Sequence, residues 1–263
     1  MNIGVINLEK IAITTSQPRE HLIDIAQKIR TEIGINYIPR NKLSLENIKR
    51  NYNLSHLLIV REDKIIVDDQ YFFHPGMAVP RIKMLKKGEL DPMVQAMDIK
   101  EGDSVLDCTL GMANDAIVAS FIIGAKGTIV GIESSPIIYA VTKWGLVSAQ
   151  KGSKDSQNAM RNISVINSNY EDYLEKLSEN SFDVVYFDPM FDVPLLRSNG
   201  INGLRVFANY DKLTNDVIKN ALRAARRRVV IKEWKYGHIL KNLSVHEVIG
   251  GKYSKVKFGV LLK

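Results

Sequence analysis

The sequence predicts an α/β fold: a Rossmann-like, mostly parallel sheet closed by a C-terminal antiparallel pair, with a small α/β unit ahead of it. Three observations predict this. From about residue 91 apolar strands alternate with amphipathic helices, the pattern of a parallel sheet covered on both faces. Two of those strands run straight into loops bearing carboxylates, at Asp107 and Asp188. The last apolar segments, 246–249 and 256–262, flank Gly250-Gly251 and read as an antiparallel pair rather than another crossover.

Residues 1–75 form the expected first unit and 76–263 the second. Ile11-Ala12-Ile13-Thr14-Thr15 reads as a strand, and Ser16 and Pro18 introduce a helix with Leu22, Ile23, Ile25, Ala26 and Ile29 at helical spacing. A short helix is expected over 45–52 behind the Ser44 cap, then a hairpin of 57–60 and 64–67 around Arg61-Glu62-Asp63. His74-Pro75-Gly76 marks the boundary, followed by a helix around 81–85. Beyond it strands are expected over 105–108, 127–133, 163–167, 182–187 and 228–232, with helices over 114–123, 135–149, 170–177 and 215–225. Residues 151–161 and 192–213 read as non-helical stretches, of a length that is often functional.

Composition narrows the chemistry. A chain of 263 residues, 45% hydrophobic and 25% charged, is an ordinary globular one. A net charge of +7 favours an anionic partner. With Cys108 as the single cysteine no internal disulfide is possible, and no Cys/His cluster has metal-ligand spacing, so no metal is expected. The N-terminus lacks signal-peptide regions, and the longest apolar run, 116–125, is too short to span a bilayer, so a cytoplasmic protein without a membrane partner is expected.

The first strand leads through Asp107-Cys108-Thr109-Leu110-Gly111 into the helix at Asn114. Gly111 lets backbone approach a ligand, and the helix start supplies free N–H groups. Glu133 ends the second strand about 20 residues further on, the spacing at which a carboxylate meets ribose hydroxyls. Asn169-Tyr170-Glu171 after the third strand is placed to bracket an adenine ring. The loop lacks the glycine pattern of a dinucleotide site, and Asp107 and Asp115 would repel a pyrophosphate but suit a cationic ammonium. S-adenosyl-L-methionine is the expected cofactor.

The fourth strand ends in Asp188-Pro189-Met190-Phe191. A carboxylate held by proline at the end of a buried strand is costly to keep for packing alone. It can accept hydrogen bonds from the exocyclic amine of a flat heterocycle, which Phe191 would stack on and Met190 would enclose. The expected chemistry is methyl transfer to a nucleic-acid base by positioning. Asp91-Pro92-Met93 repeats the triplet without the strand, so Asp91 there reads as an N-cap with Pro92 at the first helical position.

With these motifs in order, together with Ile132-Glu133-Ser134-Ser135-Pro136 and Gly145-Leu146, the chain resembles the class I methyltransferases. More narrowly it is similar to the bacterial small-subunit ribosomal RNA guanine-N2 methyltransferase family. That resemblance implies cofactor contacts at Asn114, Asp115, Glu133, Ser134, the 169–171 loop and Asp188, and the guanine 2-amino group in ribosomal RNA as target. Asn114 and Ser134 stand where the family carries arginines, Ala113 where it carries a glycine, and Asp192 where it carries a proline.

In the 192–213 stretch Arg197 and Arg205 are expected to grip RNA phosphates while Tyr210 stacks. Arg226-Arg227-Arg228 reads as a structural run whose charges complement the end of the preceding helix. Lys232, Trp234 and Lys235 lie where the fifth strand approaches the substrate side. A DNA or small-molecule amino-methyltransferase, or a non-catalytic RNA-binding protein on the same fold, are the rival expectations.

Overall fold

A computed structural model describes residues 7–189, 207, 212–251 and 254–263. They group into two compact units, and the division does not follow the chain in one cut. The first unit holds residues 7–74 together with the helix Pro136–Ser148 and Phe207.

In the first unit β1 (Ile11–Thr15), α1 (Glu20–Ile33), β2 (Asn36–Tyr37), α2 (Leu45–Asn51), β3 (His56–Val60), β4 (Ile65–Val67) and β5 (Tyr71–Phe72) follow in sequence. The sheet order is β2-β1-β3-β4-β5, parallel across β2-β1-β3 and antiparallel beyond. The α1 stripe of Leu22, Ala26, Ile29 and Ile33 is buried, and Gly34 ends the helix in the left-handed conformation at φ 71°. The Ser44 hydroxyl caps α2 by accepting the Asn47 N–H, as its sequence position predicts. β2 and β5, two residues each, carry no periodicity that a sequence could reveal. Phe207 packs edge-on against His56, with ring centres 4.8 Å apart.

The second unit contains α3 (Ala78–Leu85), α4 (Pro92–Met97), β6 (Ser104–Asp107), α5 (Asn114–Ile123) and β7 (Thr128–Glu133). Past α6, the Pro136–Ser148 helix of the first unit, come α7 (Lys154–Arg161), β8 (Ile163–Asn167), α8 (Tyr170–Lys176) and β9 (Phe182–Phe187). It closes with α9 (Asn215–Ala224), β10 (Ala225–Trp234), β11 (Glu247–Gly250) and β12 (Val256–Leu262). The strands form one 7-stranded sheet, β11-β12-β10-β9-β6-β7-β8. It is parallel from β10 to β8, and β12 pairs antiparallel with both β10 and β11. Chain order reverses between β6 and β9, which makes that crevice the topological switch point where ligands of such sheets bind.

Strand alternation sorts the sheet's side chains. Leu106, Val185, Phe187, Val229 and Ile231 join the apolar cluster that includes α8 and α9 residues. The neighbours Asp107, Tyr186 and Lys232 project to the other face, where Tyr186 and Lys232 both reach Asp115 on α5. Asp91 caps α4 by accepting the Met93 and Val94 N–H groups, with Pro92 at the first helical position, as predicted.

Two expectations are corrected. Residues 151–161 are not wholly irregular: Ser153 accepts the Ser156 N–H and starts α7, whose Ala159 and Met160 are buried while its polar face hid the helical period. Arg226, Arg227 and Arg228 do not complement a helix end but lie in β10. There Arg226 pairs with Asp183, Arg227 with Asp103, and Arg228 with Asp98 at 2.8 Å. Acidic partners let a basic run enter the strand, so β10 begins earlier than its apolar part suggested. Among the described residues no helix is long and apolar enough to cross a membrane, and no His/Cys/Asp/Glu cluster could hold a metal ion.

Gly145 of α6 shows how tightly the first unit is packed, because a Cβ there would overlap the Phe73 ring. We expect Gly145→Ala to destabilise the protein by about 1–3 kcal/mol, the usual range for overpacking. Urea unfolding measures this, and an unchanged midpoint would contradict the packing.

Candidate active site

Three parallel strands end side by side around the switch point, and each delivers a carboxylate: β6 at Asp107, β7 at Glu133, and β9 at Asp188 just beyond Phe187. Asp107 is 2% exposed and accepts the Thr109 N–H at 3.0 Å. The loop that follows is pinned at several points. The Cys108 N–H donates to the Tyr186 carbonyl and the Leu110 N–H to the Ile132 carbonyl. Leu110 lies over Gly131, where any Cβ would collide with it. Ala113 enters α5 at φ 57°, a left-handed conformation that costs a non-glycine residue about 1–2 kcal/mol. Cys108 is buried among apolar neighbours, and burial pushes its thiol up, the behaviour of a packing residue.

Glu133 accepts the N–H groups of Gly111 at 3.0 Å and Ser135 at 2.8 Å, so its carboxylate ties the loop after β6 to the loop after β7. Ser134 lies in that second loop, and its carbonyl accepts from the Asn167 amide. Asn169 caps α8 by accepting the Glu171 N–H, while Tyr170 is buried with its ring edge-on to Phe187 at 5.8 Å. This packing holds the loop after β8 at the same sheet edge.

Opposite these loops runs a chain of alternating charges. Asp91 takes two hydrogen bonds from Arg81, at 2.7 and 2.9 Å. Arg81 also bonds Asp115 at 2.5 Å. Asp115 accepts the Tyr186 hydroxyl at 2.7 Å and Lys232 Nζ at 2.8 Å, and Lys232 reaches Asp188 Oδ2, also at 2.8 Å. The Asp188 N–H donates to Thr109 Oγ1 at 2.6 Å, which fastens the end of β9 to the loop after β6. Asn114 turns the other way, its Oδ1 accepting the N–H groups of Met77 and Ala78 at the start of α3.

Burial sets the electrostatics. It raises the Asp107 carboxyl to about 8 against the pull of the Thr109 N–H, with Asp115 and Asp188 adding to the rise. It raises Glu133 to about 7 in spite of the backbone N–H bonds. Burial would also raise Asp115, but Lys232 and Arg81 hold it well below the usual carboxylate range. Burial would lower Lys232, yet Asp115 and Asp188 keep it firmly protonated. Asp188 is pushed up by burial, while Lys232 opposes the shift.

Sequence reasoning placed Asp107, Thr109, Leu110, Gly111, Asn114, Asp115, Glu133, Ser134, Asn169, Tyr170, Glu171, Asp188 and Pro189 in loops at this edge or at the start of α5, and the structure brings them there, although the Asn114 side chain is engaged with the start of α3. Met190, Phe191, Arg197, Arg205 and Tyr210 lie outside the described residues. Arg81 was missed as part of the site, since an arginine on a short amphipathic helix carries no distinguishing signal. Lys232 did carry one: a lone charge ending Val229-Val230-Ile231, like Asp188 ending β9.

Comparison with known proteins gives this geometry its context. Residues 28–262 match the family model described as "Putative SAM-dependent methyltransferase". The chain belongs to this family. It is a class I methyltransferase and uses S-adenosylmethionine. It is 40% identical over 228 residues to the uncharacterized protein YpiP of Bacillus subtilis (strain 168), covering 85% of this chain and 89% of that relative. It is also 31% identical over 160 residues to the ribosomal RNA small subunit methyltransferase J of Nitrosococcus oceani, covering 59% of this chain and 61% of that protein. A SAM-dependent methyltransferase from Neisseria gonorrhoeae shares the fold, with TM-score 0.65 over 96% of this chain and 95% of that one at 15% identity.

The donor set of this methyltransferase suits its cofactor. The acidic strand ends at Asp107 and Glu133 fit a ligand that carries a cationic ammonium and sulfonium, ribose hydroxyls and no phosphate.

Two outcomes are expected. Lys232 neutralises two carboxylates, Asp115 largely buried and Asp188 partly so, and Lys232→Met should destabilise the protein by about 2–4 kcal/mol, with Asp115→Asn added restoring part of the loss. Equal unfolding midpoints for the single and double variants would contradict the charge chain. A carboxyl raised in the folded state makes folding take up a proton, so its contribution is present at low pH and lost as pH rises through the raised value. Without cofactor, Tm should therefore fall between about pH 5 and pH 8, and Asp107→Asn should flatten that slope.

Proposed function

We propose that this methyltransferase modifies an exocyclic amine of a nucleic-acid base, with guanine N2 in small-subunit ribosomal RNA as the target. The observation that carries the reading is the position of Asp188. It sits across the switch point from Asp107, in the row of strand ends that also contains Glu133. The similarity to relatives named ribosomal RNA small subunit methyltransferase J supports the choice of RNA.

In this reading Glu133 receives the ribose hydroxyls, Asp107 faces the methionine ammonium, and the loops at 109–111, 133–134 and 169–171 enclose the cofactor. When bound, S-adenosylmethionine supplies an electrophilic methyl group on a sulfonium. The protein's part is orientation. An exocyclic nitrogen has its lone pair delocalised into the ring, so the amine must be turned before it can react. Lys232 holds Asp188 through Oδ2, and the other carboxylate oxygen is offered to an amine N–H. Pro189 fixes the backbone beyond it, with φ restrained by the ring. The adjacent backbone carbonyl takes the second N–H, which directs the lone pair at the methyl group. Such placement replaces solvent encounter with a fixed geometry, the main source of rate for the displacement. The amine nitrogen gains the methyl, the sulfur keeps the bonding pair as the thioether leaves, and the proton that the methylated nitrogen must lose passes to Asp188 and on to solvent.

Asp115 and Arg81 act one step back: they fix Lys232 and through it Asp188. The test is transfer of labelled methyl from S-adenosylmethionine to ribosomal RNA from cells that lack this protein. Wild type should yield N2-methylguanosine, and Asp188→Ala should reduce the rate by at least about 100-fold while retaining cofactor binding. Cofactor binding without labelling of free RNA or ribosomal subunits would overturn the ribosomal reading.

A further inference from the structure

We propose that Trp234, Lys235 and Tyr236, at the carboxyl end of β10, form a stacking platform for an unpaired base of the RNA next to the one modified. The proposal rests on the nucleic-acid reading above and extends it to a surface that reading does not use.

Position comes first. Ile231 pairs with Phe187 in the β10–β9 register, which sets Lys232 level with Asp188. Trp234 is two residues further along the same strand, so it projects on the same face as Lys232, about 7 Å beyond it. The aromatic group therefore begins at the rim directly above the reacting carboxylate. Its chemistry fits a nucleotide. Trp234 and Tyr236 meet edge-on with ring centres 4.8 Å apart, and Lys235 Nζ lies 4.7 Å from the Tyr236 ring centre. Tyr236 is 62% exposed, so its ring is open to solvent. The Lys235 N–H donates to the Lys255 carbonyl at 2.9 Å, which brings a second lysine backbone alongside. Aromatic faces with lysines beside them are what a single strand needs: bases stack and phosphates meet cations.

The support beneath is built, not incidental. Glu233 is 1% exposed, pairs with Lys257 at 3.0 Å, and accepts the Ile239 N–H. The Gly237 N–H closes a tight turn onto the Trp234 carbonyl at 2.8 Å, and a Cβ at Gly237 would come within 2.6 Å of the Glu233 side chain. A buried carboxylate is costly unless it is satisfied. Here it is spent on bracing a surface turn, which presents the aromatic pair already ordered and lowers the entropy lost on binding.

The experiment uses the full chain with S-adenosylmethionine and a single-stranded oligoribonucleotide carrying 2-aminopurine, whose fluorescence is quenched on stacking. Tyr236→Ala should weaken binding by about 10-fold, the worth of one stacked base, and lose the quench. Tyr236→Phe should keep both, and cofactor affinity should be the same in all three proteins, which reports an intact fold. Equal RNA affinity and quench in wild type and Tyr236→Ala would overturn the platform while leaving the nucleic-acid reading in place. A wild type that binds cofactor but no RNA would overturn both.

Discussion

Lys232 stands between two carboxylates that cannot otherwise be held together. Asp115 comes from the start of α5 and Asp188 from the end of β9, and both face the switch point from the same side of the sheet. Unpaired, two such charges in a region of low polarity would repel by several kcal/mol, or one would take up a proton. The lysine removes both outcomes and fixes where each oxygen points. Arg81 extends the arrangement to Asp91, so that the cap of α4, the start of α5, and the ends of β9 and β10 answer to one another through charge. The Tyr186 hydroxyl completes the shell of Asp115 from the middle of the site.

The two sides of the switch point differ in character. At the ends of β6 and β7, Asp107 and Glu133 accept backbone N–H groups, no cation among the described residues is bonded to either, and burial favours their protonated forms. A cationic group arriving there would favour the ionised forms and so release protons. At the end of β9 and the start of α5, Asp188 and Asp115 are already compensated by Lys232 and Arg81.

Much of this was legible in the sequence. Asn114–Ile123, Ile163–Asn167 and Phe182–Phe187 fall where periodicity puts them, and the contrast between Asp188 and Asp91 holds: one ends a strand, the other caps α4. Legibility failed where tertiary partners overrode local pattern. The arginines of β10 sit in a strand because Asp183, Asp103 and Asp98 meet them, residues remote in sequence. α7 is written mostly in polar residues, and its helical signal reduces to the Ser153 cap and the buried Ser156, Ala159 and Met160. The Arg81 contact to Asp115 depends on a crossing of α3 and α5 that no spacing encodes.

The assignment of α6 to the first unit has a consequence for synthesis. Phe73 packs on Gly145, so the first unit's core contains residues that leave the ribosome long after its strands do. A chain emerging from its N-terminus would carry β1 to β5 with part of their apolar cover still unmade, while β6, α5 and β7 appear in between. Domains usually complete themselves in order of emergence. Here the first to begin must wait for α6, which the chain reaches only after residues 75–135 of the second.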